Sequence, residues 1–137
     1  MARVLAVDPG SKRVGVAVSD PSGTIAQALV TVPAEPLDTL AARLGEIARR
    51  EEAVSIVVGL PRRMDGSEGP EAKSARSLAE ALRKGTRLPV ALVDERLTTV
   101  AAERAMIESG ARRARRKATV DQVAATLLLQ SHLDSQR

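Results

Sequence analysis

A chain of 137 residues, 44% hydrophobic and 28% charged, is sized for one domain spanning 1–137 with a sizeable buried core. It has no Phe, Tyr, Trp or Cys, which excludes aromatic stacking on bases, disulfides and thiolate metal sites, and leaves the core to aliphatic side chains. The formal net charge of +4 favours an anionic partner.

"RVLAVD" (3–8) and "RVGVAVS" (13–19) read as two strands joined by a tight Asp-Pro-Gly-Ser turn. "TIAQALVTVP" (24–33), rich in β-branched residues, reads as a third strand. The period then changes: Leu37, Leu40, Ala41, Leu44, Ile47 and Ala48 fall on one helical face. "AVSIVVGLP" (53–61) is a continuous apolar run, the mark of a strand buried on both faces. After the polar loop "RRMDGSEG", Pro70 opens a helix whose stripe is Ala72, Ala75, Leu78, Ala79 and Leu82. "LPVALVDE" (88–95) is a fifth strand, and Thr98 or Thr99 can cap a helix running to Gly110. "TVDQ" (119–122) reads as a capping box, with Thr119 as N-cap of a last helix reaching about His132.

The order β-β-β-α-β-α-β-α-α predicts an α/β fold, a mixed sheet with an antiparallel and a parallel part, covered by helices. No apolar run approaches the roughly 18 residues of a membrane span, and the N-terminus enters a strand without a signal-peptide apolar region. The expectation is a cytoplasmic protein with no membrane partner.

Three carboxylates stand where a fold does not need them. Asp8 ends the first strand, Glu95 ends the fifth, and Asp121 lies in the first turn of the last helix, on the side of Ala124, Ala125 and Leu128. Each has an ordinary explanation: an Asx-turn acid, a surface ion-pair partner, and an acid at a helix N-terminus. If strands one and five run parallel, however, Asp8 and Glu95 emerge at one edge, where open α/β sheets place their ligands. Three acids meeting there would need cations between them. Hard divalent ions suit oxygen ligands, and a pair of ions about 3.5–4 Å apart can clamp a phosphoryl displacement. Basic residues cluster at Lys12-Arg13, at Arg62-Arg63, and above all at Arg112, Arg113, Arg115, Arg116 and Lys117. The last block reads as a phosphate-contacting loop; the two pairs suit phosphates or solvent equally. His132, the one histidine, is expected at the surface without a catalytic role.

"AVDPGSKRVGVAVSD", "IVVGLPRRMDGSEGPEA", "VDERLTT" and "TVDQVAATLLLQSHL", in that order and over nearly the whole chain, resemble the YqgF (RuvX) family. Its members are Holliday-junction-resolvase-like nucleases, also described as nucleases maturing the 5′ end of pre-16S ribosomal RNA. The resemblance implies a ribonuclease-H-like fold with a five-stranded mixed sheet in the order 3-2-1-4-5. It implies that Asp8, Glu95 and Asp121 are the ligands of Mg²⁺ or Mn²⁺, two ions in all. Lys12 and Arg13 match the family's first-turn cations, suited to backbone phosphates, and Arg96 and Thr98 are implied substrate or supporting residues. Gly59, Pro61, Asp65 and Gly66 match the loop after strand four. Related resolvases carry their second acid at the end of strand four; if Gly59 holds that position, Glu95 on the neighbouring strand must substitute.

The expected activity is divalent-metal-dependent hydrolysis of phosphodiester bonds in structured RNA or branched DNA. Two other readings stay open. One is a non-catalytic nucleic-acid-binding factor in ribosome assembly or transcription. The other is an ATP-binding phosphotransferase of the actin and sugar-kinase type, against which the single-domain length argues. Nothing in the residues chooses RNA over DNA, because phosphate contacts carry no sequence information. The oligomeric state, a homodimer included, is also open.

Overall fold

The computed structural model describes residues 2–63, 65–95 and 113–136, with the backbone alone for 113–121. Five strands form one sheet: β1 (Arg3–Pro9), β2 (Arg13–Ser19), β3 (Ala26–Pro33), β4 (Ala53–Leu60) and β5 (Val90–Asp94). Their order is β3-β2-β1-β4-β5, as expected. The β1–β2 and β2–β3 pairs are antiparallel; β1–β4 and β4–β5 are parallel. Helices α1 (Leu37–Arg50) and α2 (Pro70–Thr86) are the two crossovers, and α3 (Arg113–Ser135) packs on β1, β2 and β3.

The two faces of the sheet differ in side-chain size, and alternation along the strands creates the difference. Leu5, Val7, Val14, Val16, Ile56, Val58 and Leu60 point to one face, where Leu40, Leu44 and Ile47 of α1 and Ala75, Ala79 and Leu82 of α2 cover them. Ala6, Ala17 and Val57 point to the other, against Ala125, Leu129 and Leu133 of α3. Among the described residues, large aliphatics pack against α1 and α2 and smaller ones against α3, filling the interior without any ring.

One expectation fails at α3. Thr119 is not a helix N-cap: the helix is continuous from Arg113, so residues 113–117 of the basic block are helical and not a loop. Ala, Arg and Lys are strong helix formers, and nothing between Gly110 and Thr119 breaks a helix, so propensity carries the element past the capping signal. The helix anticipated over 98–110 lies outside the described residues.

The far end of α3 is tied to the β2–β3 turn. Gln130 accepts a hydrogen bond from the Ala26 N–H at 2.9 Å and donates to the Thr24 carbonyl at 3.0 Å. The turn is itself organised by Asp20, whose carboxylate accepts from the Thr24 and Ile25 N–H groups at 2.8 and 2.9 Å and from the Ser22 hydroxyl. The Ile25 N–H, the Ser22 hydroxyl and the Thr24 N–H, in that order of weight, hold the Asp20 pKa down at about 2. A depressed carboxylate pKa contributes stability above its unfolded value and loses it as pH falls through the folded one. Asp20→Ala is therefore expected to lower the thermal midpoint at pH 7, with the gap to the parent chain closing between about pH 4 and pH 2. Thermal melts across that range check it.

Candidate active site

The parallel ladder of β1, β4 and β5 brings the carboxyl ends of three strands side by side. Val7 pairs with Val58, and Gly59 with Val93. Asp8 and Gly59 thus follow one step beyond a paired position, and Glu95 follows Asp94, the last residue of β5. Alternation turns Asp8 to the α3 face, where Ala6 also lies, and the same face at β4 belongs to Val57 and Gly59.

Gly59 is where the two acids meet. A Cβ built on it would lie 2.8 Å from Glu95 Oε1, 3.4 Å from Asp8 Oδ1 and 3.1 Å from Leu128 Cδ2. Both carboxylates therefore crowd one point in space, walled by α3, and the hydrogen at Gly59 leaves that point open. Asp8 is only 2% exposed. A carboxylate so far from water, with a second one beside it, is costly to keep ionised without compensating positive charge. Two convergent oxygen donors in a recess that a methyl group would fill suit a hard divalent cation. Among the described residues no group of three acidic or imidazole side chains forms a metal cluster, so the described donor set is the pair Asp8 and Glu95. Asp121 is helical, two turns before Leu128 on α3, and its side chain lies outside the described residues.

The expected phosphate contacts are distributed unevenly. Lys12 is exposed and Arg13 half-buried at the corner that follows Asp8. That corner requires glycine at position 10, where a Cβ would sit 2.5 Å from the Arg13 carbonyl oxygen. The Lys12 carbonyl accepts the Ala34 N–H at 2.9 Å, and Lys12 and Arg13 line a shallow cavity of about 340 Å³ with Thr31, Val32 and Pro33. Arg63 is exposed, its guanidinium lying over Gly69 at the start of α2. Arg62 is engaged with carboxylates, 3.4 Å from Glu68 and 3.5 Å from Asp94. Arg113, Arg115, Arg116 and Lys117 share the first turns of α3, described as backbone. Arg96, Thr98 and Arg112 lie outside the described residues. His132 is half-buried, and that burial pushes its pKa down.

Sequence reasoning missed two participants. Leu128, read on the Asp121 side of the last helix without a role, forms the wall of the recess, which shows only once the helix is docked. Asp94, adjacent to Glu95, is the partner of Arg62, and strand alternation alone could have separated the two acids.

Residues 2–135 match the family model described as "RuvX: Holliday junction resolvase". The chain belongs to this family. A relative from Moorella thermoacetica named "Putative pre-16S rRNA nuclease" is 48% identical over 132 residues, 96% of this chain and 94% of that one. A relative of the same name from Roseiflexus sp. is 44% identical over 135 residues, 98% of this chain and 96% of the other. Among solved structures, Thermus thermophilus RuvC in complex with a Holliday junction substrate superposes with a TM-score of 0.64 at 17% identity, over 99% and 96% of the two chains. The fowlpox virus Holliday junction resolvase gives 0.58 at 12% identity, over 97% and 99%. These RuvX-family and resolvase likenesses establish the ribonuclease-H-like fold.

Gly59→Ala tests the recess. The methyl group must displace the Glu95 carboxylate, the mobile end of a side chain, and press on Leu128, so the stability cost is about 1 kcal/mol. Divalent-cation affinity is expected to fall about tenfold. Calorimetric titration with Mn²⁺ beside a thermal melt separates the two effects.

Proposed function

We propose that this RuvX-family chain, as one domain over 1–137, is a divalent-metal-dependent nuclease that hydrolyses phosphodiester bonds in structured nucleic acid. The assigned role is processing of the 5′ end of pre-16S rRNA, resolution of branched DNA, or both, in the cytoplasm. The observation that carries the reading is the meeting of Asp8 and Glu95 over Gly59 at the carboxyl edge of the parallel strands. Family membership over residues 2–135, with relatives named as nucleases, supports it. Among the described residues no helix is long and apolar enough to cross a membrane.

Asp8, Glu95 and Asp121 are the proposed ligands of Mg²⁺ or Mn²⁺, as two ions. Held by these carboxylates, the ions would supply Lewis acidity for activating a water and for stabilising a leaving oxygen. The chain's own groups do the rest. Asp8 on β1 and Glu95 just past β5, on either side of β4, present carboxylate oxygens to one recess over Gly59, so little reorganisation is left for the reaction. Lys12 and Arg13, on the corner after Asp8, are the contacts of this reading to a backbone phosphate; the cavity they line opens towards β3. Arg63 of the β4–α2 loop and the basic residues Arg112, Arg113, Arg115, Arg116 and Lys117 are the further phosphate contacts of this reading. Val93, Ala124 and Leu128 pack together behind the recess and keep bulk water from that side.

The test is a cleavage panel of a four-way DNA junction, single-stranded RNA and a pre-rRNA leader, with Mg²⁺, with Mn²⁺ and with chelator. Asp8→Asn is expected to reduce cleavage at least about 100-fold while substrate affinity stays within about threefold. Chelator is expected to abolish cleavage by the parent chain. Equal cleavage by parent and Asp8→Asn, from preparations free of contaminating nuclease, overturns the assignment. Salt-sensitive binding with no product at any metal concentration would instead mark a binding factor.

A further inference from the structure

Asp94 ends β5 and Glu95 follows it, and it is Glu95 that lies with Asp8 over Gly59. In a strand, neighbours face opposite ways, so whichever acid points to the α3 face excludes the other from it. Asp94 pairs in register with Leu60, whose side chain belongs to the α1/α2 face; Glu95 lies over Gly59 on the α3 face. The strand ends there, so the ladder alone holds this choice weakly.

A second constraint acts at that point. The Arg62 guanidinium is 3.5 Å from Asp94 Oδ2 and 3.4 Å from Glu68 Oε2. Glu68 in turn accepts two hydrogen bonds from Arg76 of α2, from Nε and from Nη2, both at 2.7 Å. Four alternating charges thus run from the end of β5 through the β4–α2 loop to the body of α2. The Asp94 side chain is 11% exposed and that of Arg62 31%, so this end of the chain of charges is screened less than a surface pair. Nη1 of Arg62 faces Asp94 and Nη2 faces Glu68, so one guanidinium bridges the two carboxylates by charge. Arg76 and Arg62 together hold the Glu68 carboxyl below its usual range, against the opposing charge of Asp94.

We propose that Arg62 is a positioning residue: by holding Asp94 on the α1/α2 face, it sets Glu95 over Gly59 beside Asp8. This rests on the reading of Asp8 and Glu95 as cation ligands. It gives Arg62 a different task from Lys12 and Arg13, because its Nη1 and Nη2 already face carboxylates and its Nε is buried away from an incoming phosphate.

The experiment titrates Mn²⁺ by calorimetry into the full chain without nucleic acid, for the parent, Arg62→Met, Arg62→Lys and Glu95→Gln. Positioning predicts about tenfold weaker Mn²⁺ binding for Arg62→Met and a smaller loss, about threefold, for Arg62→Lys. Coulomb attraction alone predicts the opposite sign, since removing a cation near an acidic site strengthens cation binding. Unchanged or tighter Mn²⁺ binding by folded Arg62→Met overturns the proposal. If Arg62→Met does not fold, Arg62→Lys decides, and parent-like affinity in that variant overturns it. Binding of the four-way junction in chelator is expected to stay within about twofold for both variants. A weaker complex there, with the salt slope reduced by about 0.9, assigns Arg62 to a phosphate and overturns positioning. Equal Mn²⁺ binding by the parent and Glu95→Gln overturns the ligand reading itself, a result distinct from any change confined to Arg62.

Discussion

The site depends on the parallel ladder of β1, β4 and β5. Parallel pairing is the only way that Asp8, early in the chain, and Glu95, near residue 95 of 137, end at one edge facing one way. The two crossovers that make it possible, α1 and α2, bury the large aliphatic face of the sheet and leave the opposite face to α3. On that second face the strands carry Ala6, Ala17, Val57 and Gly59, small enough for α3 to come close. Close approach is what places Leu128 against the acids. Core packing and site geometry are thus one arrangement, set by which residues of each strand are small.

Much of this was legible because the signals were backbone signals. The Asp-Pro-Gly corner, the β-branched runs and the two helical stripes gave five strands, two crossover helices and their order. The run "AVSIVVGLP" read as a strand buried on both faces; the structure buries Ile56 through Leu60 and leaves Val54 exposed at its start. The start of α3 was misjudged because Thr-Val-Asp-Gln is a sound local cap, while the run of Arg, Lys and Ala before it is a sound helix. Local chemistry permitted both, and only tertiary context chose between them.

The site was half legible for the same reason. Asp8 and Glu95 stood out as acids at strand ends, and their convergence follows from strand direction. Gly59 was readable as a missing acid, yet not as the space into which Glu95 reaches, since that depends on where a side chain from the next strand goes. Arg62 looked like half of a basic pair. Its engagement with Asp94 and Glu68 depends on how the β4–α2 loop folds back, which no spacing of charges along the chain reveals.

Gly59 also has a consequence for how this sequence can change. The space in front of Gly59 is taken by the Glu95 carboxylate, so any side chain placed on β4 at that position competes with the one arriving from beyond β5. An acid introduced at 59 collides with Glu95, and the loss of Glu95 with glycine retained leaves Asp8 without its described neighbour. Positions 59 and 95 are therefore coupled in space: the size of one side chain limits where the other can place its carboxylate.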